Sequence, residues 1–183
     1  MSVPLAPRPA GVARLRAACA AGMACVALAT SSPCAAAADT PPGRVTFPSD
    51  ALTVADARQA TGRRVNLPLP DCAVWRSYCD ELRLVNELDG FDLDPRVTVR
   101  LEAPPAEPAT LDTLLGSDTF FLQPAGGTQR IALNRLVYDP DAATVYAHPA
   151  RQLREATTYR IVYAGGGRTS TATFTTMSAS AGL

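Results

Sequence analysis

A single histidine, three closely spaced aspartates and five cysteines are the residues of this chain with the most chemistry to offer. His148 stands directly before Pro149. A hydrolase built on it would need a nucleophile and an oxyanion site. The chain has no G-x-S-x-G elbow, and no serine or cysteine near His148 in sequence forms a recognisable motif. His148 therefore reads as an exposed strand-end residue, with a triad assembled from distant loops as the open alternative. Asp89, Asp92 and Asp94 have the spacing at which carboxylates can share a hard cation such as calcium. They lack the glycine and distal glutamate of an EF-hand loop, so capping turns or meeting arginines is their expected work. No metal and no cofactor is expected. Gly165, Gly166 and Gly167 could suggest a phosphate cradle, but the chain contains no lysine and no strand–helix unit follows. A hairpin tip is the expected reading. Trp75, the one tryptophan, lies close to Arg76 and Tyr78. Trp, Tyr and Arg are the residue types that dominate binding hot spots. Packing of Trp75 onto the body of the protein, holding its own segment down, is the alternative.

The cysteines lead to the compartment. Cys19, Cys25 and Cys34 fall in an alanine-rich stretch near the start, and Cys72 and Cys79 remain. Residues 1–16 carry Arg8, Arg14 and Arg16, residues 17–30 are small and apolar without a charge, and SSPCAAAA follows. This is the three-part layout of a secretory signal peptide over residues 1–38, with cleavage after Ala36 or Ala38. An apolar run of 14 residues is short of the roughly 20 that span a bilayer, so no stable membrane span is expected after the leader is removed. Lipid attachment at Cys34 is a minor alternative, since Pro33 fits badly beside a lipidated cysteine. The product is expected to be periplasmic or extracellular. There an even pair of cysteines reads as one disulfide, Cys72 to Cys79. Seven residues of straight helix advance about 10.5 Å, whereas bridged Cα atoms lie within about 7 Å. No continuous helix can hold both cysteines. DCAVWRSYC is expected as a stapled loop, and Asp80 as the cap of a short helix ELRLVNEL with Leu82, Val85 and Leu88 on one face.

All seventeen basic residues are arginine, against seventeen acidic ones. Beyond residue 38, fourteen arginines face all seventeen carboxylates, a net charge of −3. That balance offers no attraction for phosphate backbones, so nucleic acid is not an expected partner. At 183 residues and 47% hydrophobic, the chain is one ordinary globular domain with its leader.

The elements that must position these side chains divide in two. Residues 39–95 are irregular and proline-rich, with extended pieces at RVTF and RRVNL, a short helical stretch VADARQA and a Thr61-Gly62 turn. They read as a wrapped N-terminal extension. From residue 96 the pattern changes to period two, the mark of half-buried strands. Val97, Val99 and Leu101 share one face; so do Phe120 and Leu122, Val145 and Ala147, Tyr159, Ile161 and Tyr163, and Ala172 and Phe174. IAL and LVY are two further short runs. Turn residues separate them, among them Pro104-Pro105, Gly116-Ser117 and Asp139-Pro140-Asp141. Six or seven such strands predict an all-β antiparallel sandwich over residues 96–176, with a disordered tail at 177–183.

Four stretches in this second zone, VTVRLEAPPAEPATL, LVYDPDAATVYAHP, QLREATTYRIVY and TATFTT, together resemble the bacterial Ig-like domains of S-layer and other envelope proteins. Where such domains usually carry an Asp-Gly-Asn-type insertion before the last strand, AGGGRTS connects directly. Leu153 and Tyr159 resemble the tyrosine corner of sandwich folds, whose phenol bonds back to backbone. The resemblance implies a non-catalytic module that spaces, presents or binds at the cell envelope, with an envelope protein or glycan as partner. The first zone, FPSDALTVADARQATGRRVNLPLPDC and LVNELDGFDLDP, is similar to the leading segment of secreted bacterial proteins in which an Ig-like module precedes a lipase-like α/β-hydrolase domain. The alternative function is accordingly the accessory front part of such a hydrolase.

Overall fold

The computed structural model describes residues 40–105, 114 and 118–179 of the chain. The expected leader with Cys34, the Thr110-Leu111 pair, the Gly116-Ser117 turn and residues 180–183 lie outside these. In chain order the elements are β1 (Gly43–Phe47), β2 (Thr53–Ala55), β3 (Arg63–Val65), α1 (Arg76–Val85), β4 (Val97–Leu101), β5 (Phe120–Pro124), β6 (Ile131–Asp139), β7 (Thr144–Pro149), β8 (Thr158–Gly165) and β9 (Arg168–Thr175). The fold is all-β and antiparallel. Seven strands form one sheet in the order β1-β4-β7-β6-β5-β8-β9, and β2 and β3 form a second, small sheet.

Alternation builds the large sheet. Val97, Val99, Leu122, Val145, Ala147, Ile161 and Phe174 are fully buried, each at the inward position of its strand. Phe120 meets Tyr163 edge-on with ring centroids 5.4 Å apart, and Tyr159 stacks on Phe174 at 5.9 Å. One sheet cannot bury its own apolar face while flat. Here it curls, and its two halves cover each other like the layers of a sandwich. The corner is β6. Its first residues pair with β5, and from Leu133 onward it pairs with β7. The register slips between Asn134 and Val137, and Arg135 sits at φ 50°. This is a β-bulge, which bends and twists a strand. It also explains why IAL and LVY, two runs in the sequence, are one strand.

At the open seam, β1 and β9 approach without a ladder. Val45 N donates to Ser170 Oγ at 3.0 Å across it. The Tyr163 hydroxyl donates to the Pro41 carbonyl at 2.7 Å, and burial pushes that phenol above its ordinary pKa. Thus β1, drawn from the zone read as an irregular extension, is an integral strand pairing with β4. The β8–β9 hairpin closes through Gly166 and Gly167, both at positive φ, as a two-residue primed turn requires.

Three expectations are corrected. VADARQA is not helical. Its first residues belong to β2, and the Asp56 carboxylate accepts from Arg58 N, Nε and Nη2, a local side-chain turn that competes with helix. The helix expected over ELRLVNEL begins five residues earlier, at Arg76, and ends at Val85. Asp80 does not cap it but pairs with Arg83 within it at 2.6 Å. Finally, the tail expected from residue 177 is anchored at its start. Met177 N donates to the Phe91 carbonyl at 2.8 Å, and Ser178 N and Oγ donate to the Asp89 carboxylate at 3.0 and 2.6 Å. Gly90 permits this crossing, because a Cβ there would lie 2.6 Å from the Thr176 backbone.

Candidate functional site

Two surface regions gather aromatic and charged side chains: the helix α1 with its disulfide, and the outer face of β4, β7 and β6.

Asp71 opens the first region. Its Oδ1 accepts from Ala73 N at 2.9 Å and its carbonyl from Trp75 N at 2.9 Å, winding a turn ahead of the helix. The disulfide joins Cys72 in that turn to Cys79 in α1, with Cα atoms 5.7 Å apart. Cys72 lies outside the helix, so the spacing argument against one helix through both residues agrees with the structure. Cys79 and Leu82 face inward. At the far end Asn86 clamps α1 to the extended segment beside it. Its Oδ1 accepts from Leu67 N at 2.7 Å and its Nδ2 donates to the Leu67 carbonyl at 3.0 Å, so one side chain mimics a ladder pair.

With the helix and the turn before it pinned at both ends, their outward residues are held in water. Trp75 is 60% exposed, Tyr78 52% and Val74 67%. The alternative that Trp75 packs onto the sheet is overturned. The reason is that Cys79 and Leu82 already occupy the buried face, and Trp75 precedes the first helical turn. Tyr78 and Val85, seven residues apart, share one flank of α1, while Val74 and Trp75 stand in the turn ahead of it. Val74, Trp75, Arg76, Tyr78 and Glu81 border a shallow concavity of about 420 Å³.

The second region centres on Asp94. Its carboxylate accepts from Arg135 Nη2 at 2.6 Å and lies 3.3 Å from His148 Nδ1. Partial burial opposes its charged form, but hydrogen bonding and charge from Arg135 and His148 outweigh that and lower its pKa. The bulge at Arg135 turns that side chain toward Asp94, 41 residues earlier in sequence. Beside it the Arg96 guanidinium lies over the Tyr146 ring, 4.8 Å from its centroid. Arg96, Arg135, Val137, Tyr138, Asp139, Pro140, Tyr146 and His148 line a concavity of about 510 Å³. His148 is therefore half-buried and paired, not a bare strand end. No serine or cysteine is among the lining residues.

The aspartate run is dispersed. Asp89 is buried against Ser178, Asp92 accepts from Asp94 N at 2.7 Å, and Asp94 turns to Arg135. Among the described residues no three His, Cys, Asp or Glu side chains gather as a metal site. Nor is any described helix long and apolar enough to cross a membrane. At the expected corner, Leu153 is buried and the Tyr159 hydroxyl accepts from Arg154 N at 2.9 Å.

No family model, curated protein or solved structure matches the chain. The functional reading rests on the side chains themselves. Sequence reasoning picked out Trp75, Arg76 and Tyr78, which the structure brings together on one surface. It missed Asn86 and the grouping of Asp94, Arg96, Arg135 and Tyr146. Asn86 gives a signal only as a polar residue at a helix end; the grouping depends on strand register and a bulge, which are non-local.

Proposed function

We propose that this chain is an exported, non-catalytic Ig-like module of the bacterial cell envelope that docks a protein partner on its stapled helix. The carrying observation is the exposure of Trp75, Tyr78 and Val74 on an element fixed by a disulfide and by Asn86. A monomer gains nothing by holding such side chains in water. Rigid aromatic anchors beside an arginine are what a binding hot spot needs, and fixing them beforehand lowers the ordering cost of association. Tyr78 and Val85 on one flank of α1, continued by Val74 and Trp75 in the turn ahead of it, favour a protein partner over a glycan, because they present an extended apolar edge that a groove or second helix can follow.

Other observations support the rest of the reading. The Cys72–Cys79 bond suits an oxidising compartment, consistent with the leader expected over residues 1–38. The antiparallel sandwich and the hydrogen bond of Tyr159 to backbone suit an Ig-like domain. His148 is engaged by the Asp94 carboxylate, as in a surface ion-pair network.

The test begins with affinity capture from an envelope extract of the producing cell, then titration of the purified captured protein. Trp75→Ala and Tyr78→Ala should each weaken binding at least tenfold while leaving circular dichroism unchanged. Arg168→Gln, on the β8–β9 hairpin, should bind as the parent does. Equal binding by all three variants would contradict the proposal. Capture of polysaccharide alone would replace the protein partner with a glycan.

A further inference from the structure

We propose that the outer face of β4, β7 and β6 is a second, separate binding site, which takes an acidic sugar of the uronate type. It is independent of the stapled helix. The concavity there, about 510 Å³, has the size of a small-ligand site. Its chemistry is divided as such a ligand would require. Arg96 forms no ion pair with a carboxylate among the described residues; its guanidinium rests on the Tyr146 ring instead. A stacked guanidinium keeps its planar fork of donors open at the edge, suited to a bidentate carboxylate.

Around it, Asp94 is held by Arg135 and His148, and Asp139 Oδ1 accepts from Asp141 N and Ala142 N; the remaining lone pairs of these carboxylates and the remaining nitrogens of Arg135 and His148 are the partners that sugar hydroxyls need. Val137, 60% exposed on β6, and Pro140 supply an apolar patch for the carbon face of a pyranose ring. The density of polar groups argues against an aliphatic or aromatic acid, which would leave the Asp94–His148 pair unused. The shape depends on local strain: Arg135 holds a left-handed backbone conformation at the bulge, where non-glycine residues are uncommon. Bulges of this kind re-aim side chains beside functional sites. Here the bulge brings Arg135 to Asp94.

The test is a ¹H–¹⁵N NMR titration of the folded protein with digalacturonate at low salt, with maltose as the neutral disaccharide. Digalacturonate should shift resonances in β4, β6 and β7, and maltose should shift none. Arg96→Gln should weaken the interaction at least tenfold, through loss of the cation. Val137→Glu, at an exposed position, should weaken it similarly by repulsion, and it keeps the test decisive if Arg96→Gln unfolds. Thr171→Ala on β9 should titrate as the parent does. The absence of any shift, equal response to maltose, shifts confined to other strands, or unchanged affinity in both variants would each overturn the proposal. A lost helix partner with intact sugar binding, or the reverse, separates this site from the stapled helix.

Discussion

In the seven-stranded sheet Phe120, Tyr163, Leu122 and Phe174 are closed off from solvent, whereas in the segment carrying α1 the largest side chain, Trp75, is 60% exposed. Both regions are ordered, but by different means. The sheet is ordered by burial: curling brings its apolar face against itself, and edge-on and stacked rings fill the interior. The helix α1 has little to bury beyond Cys79 and Leu82, although Leu67 and Leu88 beside it pack against the core. The segment is held by a disulfide, by the amide of Asn86 and by the Asp89 carboxylate on Ser178. Covalent and polar ties need only a few anchor points, so they leave the remaining surface available. The difference teaches where a partner can bind without disturbing the fold.

The sharpest way to break this comparison is to cut the same kind of side chain from each region. Phe174→Ala should cost about 3–5 kcal/mol in urea unfolding, as for aromatic residues removed from a packed core. Trp75→Ala should stay within about 0.5 kcal/mol, as for exposed positions without a structural role. A large loss from Trp75→Ala would erase the distinction.

Reducing Cys72–Cys79 is the next largest effect. A 15-residue loop is worth about 3 kcal/mol, and this shorter one should contribute less. The loss should be local: amides of α1 should lose exchange protection while those of β4, β7 and β8 keep theirs. Unfolding of the whole sheet on reduction would show that the staple is not peripheral. Tyr159→Phe is a finer probe. Removing the acceptor for Arg154 N should lower stability by about 0.5–1.5 kcal/mol. No change in the unfolding midpoint would remove Tyr159 from any corner role.

The smallest effect is a pH dependence at the β2–β3 turn. Hydrogen bonds from Arg58 hold Asp56 down to about pKa 2, from an ordinary 3.8. A depressed carboxyl contributes stability that is complete above its unfolded value and is lost as pH falls toward the folded one. Between pH 4 and 2 the parent should therefore lose slightly more stability than Asp56→Asn, measured by urea midpoints across that range. Parallel curves would mean the turn does not depend on the charge.

Much of the sheet was legible because its inward positions alternate strictly. Val97, Val99 and Leu101, and Tyr159, Ile161 and Tyr163, are visible as single faces and lie buried as such. What escaped the sequence is non-local or competitive. VADARQA has helix-friendly residues, but Asp56 finds Arg58 nearby and β2 finds β3 across the turn. The start of α1 lies ahead of Asp80, after a turn that Asp71 winds, and its N-cap Trp75 makes no side-chain capping bond and so leaves no signal in the sequence. The membership of β1 in the main sheet depends on its register with β4, 54 residues away between Val45 and Val99. The stapled-helix site was half visible: residue types suggested binding, but exposure of Trp75 could not be read from composition. The Asp94–His148–Arg135 grouping was invisible, since a bulge rather than a motif creates it.

Because Trp75 is the only tryptophan, its fluorescence reports the central claim directly. Iodide quenching of the native, oxidised protein should approach that of the urea-unfolded chain, as expected for an indole standing in water at the head of a fixed helix. Strong shielding in the native monomer, released only on unfolding, would place Trp75 against the sheet and contradict the account.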